Sequence, residues 1–389
     1  MDQTTPQSQS PIVIIGSGLA GYTVIREIRK TDKTTPITLV TREPGYFYSK
    51  PMLSTALASK KDAAQLISTQ ADGMASQLEI TVLGETDVSS IDTTSQQLQT
   101  SHGPIPYGKL VLALGADQIH LPLQGDAANE VLTVNDLEDY GRFRQAILGK
   151  KKVAILGAGL IGCEFANDLL LGGYEVDVID LAPQVLGRLL PEIAATALQN
   201  KLSEAGVHWH FSTTVQTVDR KGDHLEIKLA NGDSIQADVV LSAVGLKPRL
   251  DLAKAAGIKT GVGIQVNREL ETSAPNVYAI GDCAEVEGLV LPYVMPIMQA
   301  ARALASTLLG QRTALTYPAM PVMVKTPAFA TIVSPPAKGA LGEWKTISIE
   351  GGVEARFESP DGKLLGFVLM GAATAQRGAL SKELPPVLQ

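Results

Sequence analysis

Two glycine-rich motifs of the same form, about 140 residues apart, constrain this chain more than any other feature. The first occupies residues 16–21 and the second residues 157–162, and both have the form Gly-x-Gly-x-x-Gly. Each follows a run of four apolar residues and opens a segment with helical spacing. A strand, a tight turn and a helix in this order form a dinucleotide-binding fingerprint. One match is weak evidence in a chain with 36 glycines, but two in this context predict two dinucleotide sites.

The glycines suit contact with a pyrophosphate. The first allows a sharp turn, the second lets the backbone approach the phosphates, and the third lets the helix pack on the strand. The phosphates then lie at the positive end of the helix. We expect contacts with one dinucleotide at Gly16, Ser17, Gly18, Leu19, Ala20 and Gly21, and with the other at Gly157, Gly159, Leu160, Ile161 and Gly162.

The order of apolar segments predicts three domains. Each fingerprint begins a unit that closes with an apolar strand and a glycine, the second at Gly245, which we also expect to contact a cofactor. Strands alternating with helices predict two doubly wound α/β domains, and short runs between turns after about Pro318 predict a small C-terminal α+β domain. We place the first dinucleotide-binding domain at 11–116 and 247–318, the second at 117–246, and the α+β domain at 319–389.

Composition excludes several classes of function. A net charge of −7 argues against nucleic acid and anionic membranes as partners, and no apolar run approaches the ~18 residues of a membrane span. Residues 1–10 lack the basic and apolar regions of a signal peptide and predict a short disordered leader. With only Cys163 and Cys283, neither a disulfide framework nor a cysteine metal site is supported, and the histidines lack metal-ligand spacing. We expect a cytoplasmic protein with no metal site.

Several segments in fixed order resemble a known family, the FAD-dependent pyridine nucleotide oxidoreductases. Besides the fingerprints, they are residues 112–115, 242–245 and 278–282. Residues 48–54, 159–166 and 324–327 are most similar to the rubredoxin reductases within that family. The resemblance implies a glutathione-reductase-like fold with FAD on the first fingerprint and NADH on the second. It further implies electron transfer from NADH through FAD to rubredoxin, often for alkane hydroxylation.

The cysteine content narrows the chemistry that this resemblance implies. Disulfide reductases of this architecture carry a cysteine pair beside the flavin, and related peroxidases and coenzyme A disulfide reductases use one cysteine there. The corresponding loop here has Ser49 and Lys50, so thiol and peroxide chemistry lack their nucleophile. One-electron delivery to an outside carrier is the remaining option, and we predict that Cys163 and Cys283 are buried packing residues.

The two dinucleotides have different expected ribose contacts. Asp180 lies 18 residues after Gly162, where a carboxylate accepts hydrogen bonds from the adenosine ribose and repels a 2′-phosphate. NADH is therefore expected over NADPH, although Arg188 nearby weakens the exclusion. At the first fingerprint the comparable position is Thr41, whose hydroxyl suits a ribose, while Arg42 suits adenine or a phosphate.

The resemblance also implies contacts with the flavin. Asp282 resembles the acid that binds a ribityl hydroxyl, and Gly281 before it lets the backbone pass the cofactor. A helix predicted from about Pro296 would stabilise reduced flavin through its dipole. The other implied contacts with FAD are the backbone of Val88, Val294 before that helix, and Lys325.

Lys50 and Glu164 are the residues that we expect to tune hydride transfer. Our hypothesis is that Lys50 lies near the flavin and is held by an ion pair with Glu164. A partly desolvated ammonium there favours reduced, anionic flavin.

Three alternatives remain open. The electrons could go to another carrier, such as flavorubredoxin or ferredoxin, or to oxygen, or the chain could be a redox-sensing binding protein that uses NADH to switch partners. Residues 321–389 hold 7 basic and 6 acidic residues, a net charge of +1 against −8 for the rest of the chain, so an acidic carrier is expected to dock where this domain borders the flavin. The sequence leaves open whether the protein is a monomer or a homodimer.

Overall fold

A computed structural model describes residues 11–389, and the leader predicted over residues 1–10 lies outside them. No helix in this range is long and apolar enough to cross a membrane. The described helices are α1 Leu19–Arg29, α2 Ala63–Leu66, α3 Ala71–Leu78, α4 Leu137–Ile147, α5 Leu160–Leu171, α6 Glu192–Glu204, α7 Asp251–Ala255, α8 Val294–Leu308 and α9 Arg377–Glu383. The 3-10 helices are Lys50–Thr55, Ala128–Glu130, Gly281–Cys283 and Ala372–Gln376.

The first parallel sheet is built from segments on both sides of the second fingerprint. Its strands are short apolar runs that are mostly buried, as expected where helices cover a parallel sheet. A strand from far along the chain, Val277–Ala279, forms one edge, which supports the predicted discontinuous domain; we retain its bounds as a proposal. In spatial order the strands are Val277–Ala279, Lys109–Leu112, Ile12–Ile15, Ile37–Val40 and Thr81–Leu83.

The second parallel sheet begins at the second fingerprint. Its strands, in spatial order, are Val207–His210, Glu175–Ile179, Lys152–Leu156 and Val239–Ser242. A two-stranded antiparallel ladder joins Ala116–Gln118 to Leu246–Pro248, where the chain passes between the two domains. The smaller sheets consist of Val88–Asp92, Gln97–Thr100 and Gly103–Pro106; of Val215–Lys221, His224–Leu229 and Ser234–Ala237; and of Ile264–Val266 with Ala284–Val286.

The C-terminal region forms an antiparallel sheet that packs on the second domain. Val353 and Ala355 share one buried apolar cluster with Ala194 and Leu198 of α6. Burial of this shared apolar surface fixes the C-terminal sheet against the second domain. Its strands, in spatial order, are Val322–Val324, Thr331–Ser334, Leu364–Gly371, Gly352–Glu358 and Glu343–Ile349.

The predicted fold class is confirmed: two doubly wound α/β domains and a small C-terminal α+β domain. The predicted start of one helix is wrong. Helix α8 begins at Val294, not near Pro296, so Val294 belongs to the helix instead of preceding it. Pro296 fits within the first turn because the N–H groups there have no partner inside the helix.

Candidate functional site

A cavity of about 1330 Å³ lies at the carboxyl ends of both parallel sheets, where α/β folds bind ligands. It extends from the first fingerprint to the second and reaches the C-terminal sheet. Most predicted contacts line it, namely Gly16, Ser17, Gly18, Leu19, Ala20, Thr41, Arg42, Lys50, Val88, Gly157, Gly159, Leu160, Ile161, Glu164, Asp180, Gly245, Asp282, Val294 and Lys325. The fold therefore brings residues from all three regions to one space.

The first fingerprint is shaped for a close backbone approach. Gly16 has φ of +116°, and a Cβ there would lie 2.2 Å from the carbonyl oxygen of Ala113. A Cβ at Gly18 would have no atom within 4 Å, so this glycine leaves open space. Gly18 also caps α1 without a side-chain hydrogen bond, which leaves N–H groups of the first turn free of side-chain caps. These features fit a pyrophosphate.

Thr41 and Arg42, which follow the strand Ile37–Val40, complete this end of the cavity. The hydroxyls of Thr41 and Ser17 lie 3.0 Å apart and are buried, so Thr41 is fixed against the fingerprint. Arg42 is exposed, and its Nη2 lies 3.9 Å from Oδ1 of Asp117. Because this ion pair is long and exposed, the guanidinium remains able to contact an adenine or a phosphate.

The second fingerprint repeats this geometry. Gly157 has φ of +107°, and a Cβ there would lie 2.6 Å from the carbonyl oxygen of Ala243. A Cβ at Gly159 would meet no atom within 4 Å, and α5 begins after it without a side-chain cap. Asp180 accepts hydrogen bonds from the backbone N–H of Ala158 at 2.5 Å and of Ala182 at 2.6 Å. These two bonds hold its carboxylate beside the fingerprint.

Three glycines predicted to contact a cofactor do not line the cavity. A Cβ at Gly21 would lie 2.0 Å from the Gly16 carbonyl oxygen, and one at Gly162 would lie 1.9 Å from the Gly157 carbonyl oxygen. A Cβ at Gly281, whose φ is +81°, would lie 2.9 Å from the Ala20 Cβ. Each allows close packing behind the cavity wall, so direct contact of these three with a cofactor stays a prediction.

Lys50 and Asp282 are oppositely charged groups in the cavity wall. Burial lowers the pKa of the Lys50 ammonium, and Asp282 opposes this shift. Burial raises the pKa of the Asp282 carboxyl, and Lys50 opposes that shift. Each charge therefore partly compensates the desolvation of the other.

The predicted ion pair between Lys50 and Glu164 is wrong. Glu164 pairs with Lys325, whose Nζ lies 2.7 Å from Oε2, and the backbone N–H of Lys325 donates to Oε1 at 3.1 Å. The Ser54 hydroxyl donates to Oε2 at 2.6 Å. Packing of the C-terminal sheet beside α5 brings Lys325 to the carboxylate, whereas the acid that most raises the pKa of Lys50 is Asp282.

Sequence reasoning missed three polar residues in the cavity wall. Arg249 donates through Nε to Oδ1 of Asp117 at 2.6 Å, at the ladder joining the two domains. Oδ1 of Asn135 is buried without a hydrogen-bond partner. Ser54 is four residues after Lys50 in the same 3-10 helix. Nothing in their local sequence distinguishes them, because their role depends on contacts between distant segments.

The two cysteines take no part in the cavity. Both are free and buried, and neither lines it, which confirms the predicted packing role. Burial raises the pKa of the Cys283 thiol to about 11, and it also raises that of Cys163. Both thiols are therefore protonated and unreactive at neutral pH. Within residues 11–389 no group of three or more His, Cys, Asp or Glu side chains could hold a metal ion.

Known proteins are similar to this chain in fold and in sequence. A protein described as rubredoxin-NAD(+) reductase, from Alcanivorax borkumensis, is 48% identical over 97% of this chain and 99% of its own length. A nitric oxide reductase FlRd-NAD(+) reductase from Vibrio vulnificus is 36% identical over 96% of this chain and 98% of its own length. The crystal structure of a ferredoxin reductase from Rhodopseudomonas palustris matches with a TM-score of 0.87 and 28% identity, covering 97% of this chain and 96% of that one.

The chain belongs to the pyridine nucleotide-disulphide oxidoreductase family, whose model matches residues 10–306. Residues 314–384 match a second family, the rubredoxin binding C-terminal domain. The predicted family and the predicted use of FAD and NADH are confirmed. The open turns and uncapped helix ends of both fingerprints fit the pyrophosphates of these two cofactors.

Proposed function

We propose that this protein passes electrons from NADH through FAD to rubredoxin and thereby serves alkane hydroxylation in the cytoplasm. The observation that carries the proposal is the match of residues 314–384 to a rubredoxin-binding domain, because that segment supplies Lys325 to the cavity with both fingerprints. Bound FAD supplies a ring that accepts two electrons with a hydride and gives electrons up singly. The protein binds the two cofactors, orients them, and sets the reduction potential of the flavin.

We assign FAD to the first fingerprint and NADH to the second. Asp180 beside the second fingerprint supports this, since a carboxylate there suits the free ribose hydroxyls of NADH. Thr41 and Arg42 suit the adenosine end of FAD, with Val88 beside them in the cavity wall. Val294 begins α8, whose uncapped N-terminus faces the cavity and favours negative charge on reduced flavin.

We assign the electrostatic tuning of the flavin to Lys50 and Glu164. Lys50 is an ammonium in a partly buried wall, where it favours negative charge nearby more than it would in water. Asp282 partly offsets the desolvation of this ammonium and also suits a ribityl hydroxyl. Glu164 is neutralised by Lys325, so its carboxylate opposes reduction of the flavin less than a free one would.

We propose that rubredoxin docks on an apolar rim at the mouth of the cavity. We define the methionine rim as Met52, Val294, Met295 and Met323, which are 39%, 39%, 44% and 54% exposed. The last three line the cavity, and Met323 lies on an edge strand of the C-terminal sheet. Exposed methionines adapt to the surface of a partner, and clustered apolar exposure is typical of docking sites.

Reduction of another carrier is the principal alternative. The 36% identity to a FlRd-NAD(+) reductase keeps flavorubredoxin in consideration, while the higher 48% identity favours rubredoxin. A ferredoxin, oxygen, and a role as an NADH-sensing binding protein without rapid turnover are the other candidates. Each predicts a different electron acceptor, so acceptor preference discriminates among them.

The test is steady-state oxidation of NADH by the purified holoenzyme with rubredoxin, flavorubredoxin, ferredoxin or oxygen as acceptor. We expect kcat/KM with rubredoxin to exceed that with the other acceptors by roughly tenfold or more. A higher value with another carrier would reassign the partner. Slow reoxidation by all of them would favour the sensing role.

A further inference from the structure

Ser54 joins two charged side chains that come from different domains. Its hydroxyl accepts a hydrogen bond from Nζ of Lys325 at 2.8 Å and lies 2.6 Å from Oε2 of Glu164. The hydroxyl has one proton, and the other possible acceptor, the carbonyl oxygen of Pro51, is 3.4 Å away. The proton therefore points to Glu164, and Ser54 bridges ammonium and carboxylate.

The three residues come from three separate parts of the fold. Ser54 lies in the 3-10 helix after the first parallel sheet, Glu164 in α5 after the second fingerprint, and Lys325 just after an edge strand of the C-terminal sheet. Ser54 and Glu164 are each 6% exposed, whereas the Lys325 side chain is 29% exposed. All three line the cavity.

The hydroxyl restricts a flexible side chain. A lysine ammonium on four methylenes can rotate away from a carboxylate that it contacts at one oxygen. Here the ammonium has three acceptors, since it also donates to the Pro51 carbonyl oxygen. Without the hydroxyl, Lys325 loses one acceptor and the buried carboxylate of Glu164 loses one donor. Its negative charge is then less compensated.

We propose that Ser54 is a positioning residue: its hydroxyl holds the Lys325 ammonium on Glu164 and thereby sets the reduction potential of the bound flavin. The proposal rests on FAD occupying this cavity. A less compensated Glu164 carboxylate disfavours negative charge in the cavity, so losing the hydroxyl makes the flavin harder to reduce. Ser54 acts through Glu164 and Lys325 and needs no contact with the cofactor.

The test is the variant Ser54→Ala as FAD-loaded protein. Its flavin midpoint potential is measured by anaerobic spectroscopic titration with a reference dye, and flavin reduction by NADH is followed by stopped flow. We expect a more negative potential and a reduction rate lower by roughly tenfold. We expect Ser54→Thr, which keeps the hydroxyl, to retain the wild-type potential. A wild-type potential in Ser54→Ala would overturn the proposal, because a purely structural role changes thermal stability alone.

Two further variants exclude indirect effects. Thr55→Ala removes the neighbouring hydroxyl, which donates to the Met52 carbonyl oxygen at 3.3 Å and does not line the cavity, so we expect no change in potential. In a Glu164→Gln background, Ser54→Ala should shift the potential little further, because the carboxylate charge through which the hydroxyl acts is gone. An additive shift in the double variant would contradict the bridging role. These measurements use no rubredoxin, so they separate this proposal from the proposed acceptor.

Discussion

The Asp180 carboxylate is bonded to the backbone of the second fingerprint, and we propose that it also selects the cofactor. Its carboxylate oxygens accept the N–H groups of Ala158, inside the second fingerprint, and of Ala182, in the following turn. The charge is thereby held at the position that we propose for the adenosine ribose of NADH. A 2′-phosphate at that point would meet a fixed negative charge.

Substitution Asp180→Asn should relax the preference for NADH. The amide keeps one oxygen acceptor but removes the charge that repels a 2′-phosphate. We expect the ratio of kcat/KM for NADPH to that for NADH to rise by roughly tenfold. Asp223→Asn, which neutralises an exposed acid in the same domain, is the matched control. An unchanged ratio in Asp180→Asn would show that Asp180 does not select the cofactor.

The sequence predicted which charged side chains lie at the cavity better than it predicted which of them form ion pairs with each other. Asp180, Asp282, Lys50, Glu164 and Lys325 all line the cavity as expected from their motifs. The partner of Glu164 was wrong because Lys325, 161 positions later, reaches it only when the C-terminal sheet packs beside α5. Ser54 was missed for the same reason, since a lone serine near a lysine carries no local signal.

The glycines of each fingerprint have two different roles, one in packing and one in leaving room for a ligand. The first and third glycines have no room for a Cβ because backbone lies against them, whereas the second faces open space. Packing and ligand contact are therefore separable within a motif of six residues. This division allows the assignment of cofactors to fingerprints to be tested without unfolding the protein.

Alanine at the second glycine of each fingerprint should affect one cofactor at a time. Gly159→Ala should fold and retain FAD but raise KM for NADH by roughly tenfold, because the methyl group obstructs the pyrophosphate. Gly18→Ala should fold but lose FAD. In contrast, Gly162→Ala should cost about 3 kcal/mol of stability, since its Cβ would lie 1.9 Å from a carbonyl oxygen. Loss of FAD from Gly159→Ala would reverse the assignment.

The sequence patterns predicted the helices and strands but misplaced the first residue of one helix. Residues 12–15 and 37–40 are strands as expected: the first is a continuous apolar run, the second contains one threonine, and both are mostly buried, as in a parallel sheet covered by helices. Helix α8 was predicted from its proline, yet it begins two residues earlier at Val294. A proline is compatible with any position of the first turn and does not specify where that turn starts.

For the whole molecule, the C-terminal sheet links the second domain to the mouth of the cavity. Its inner face shares an apolar cluster with α6, and its edge strand presents Met323 beside the cavity. The sequence indicated that this domain exists and that it carries a net charge of +1. It did not indicate which domain the sheet packs on, because that depends on side chains from two distant segments.

The variant Met323→Glu should weaken carrier docking without affecting hydride transfer. A charge placed in the apolar rim opposes desolvation at the interface, so we expect KM for rubredoxin to rise by roughly tenfold. The rate of flavin reduction by NADH should stay at the wild-type value. Ile347→Glu is the matched control, because Ile347 is 55% exposed on the opposite edge strand of the same sheet. Equal effects of the two variants would refute docking at the methionine rim.

We propose that NADH reduces the flavin and that electrons then leave singly to rubredoxin without a thiol intermediate. The most direct test of this proposal is an anaerobic titration of the holoenzyme with limiting NADH in the presence of excess oxidised rubredoxin. We expect about two rubredoxins reduced for each NADH oxidised, including after alkylation of accessible thiols, because one hydride carries two electrons and both cysteines are buried. Oxidation of NADH without reduction of rubredoxin would contradict electron transfer to rubredoxin.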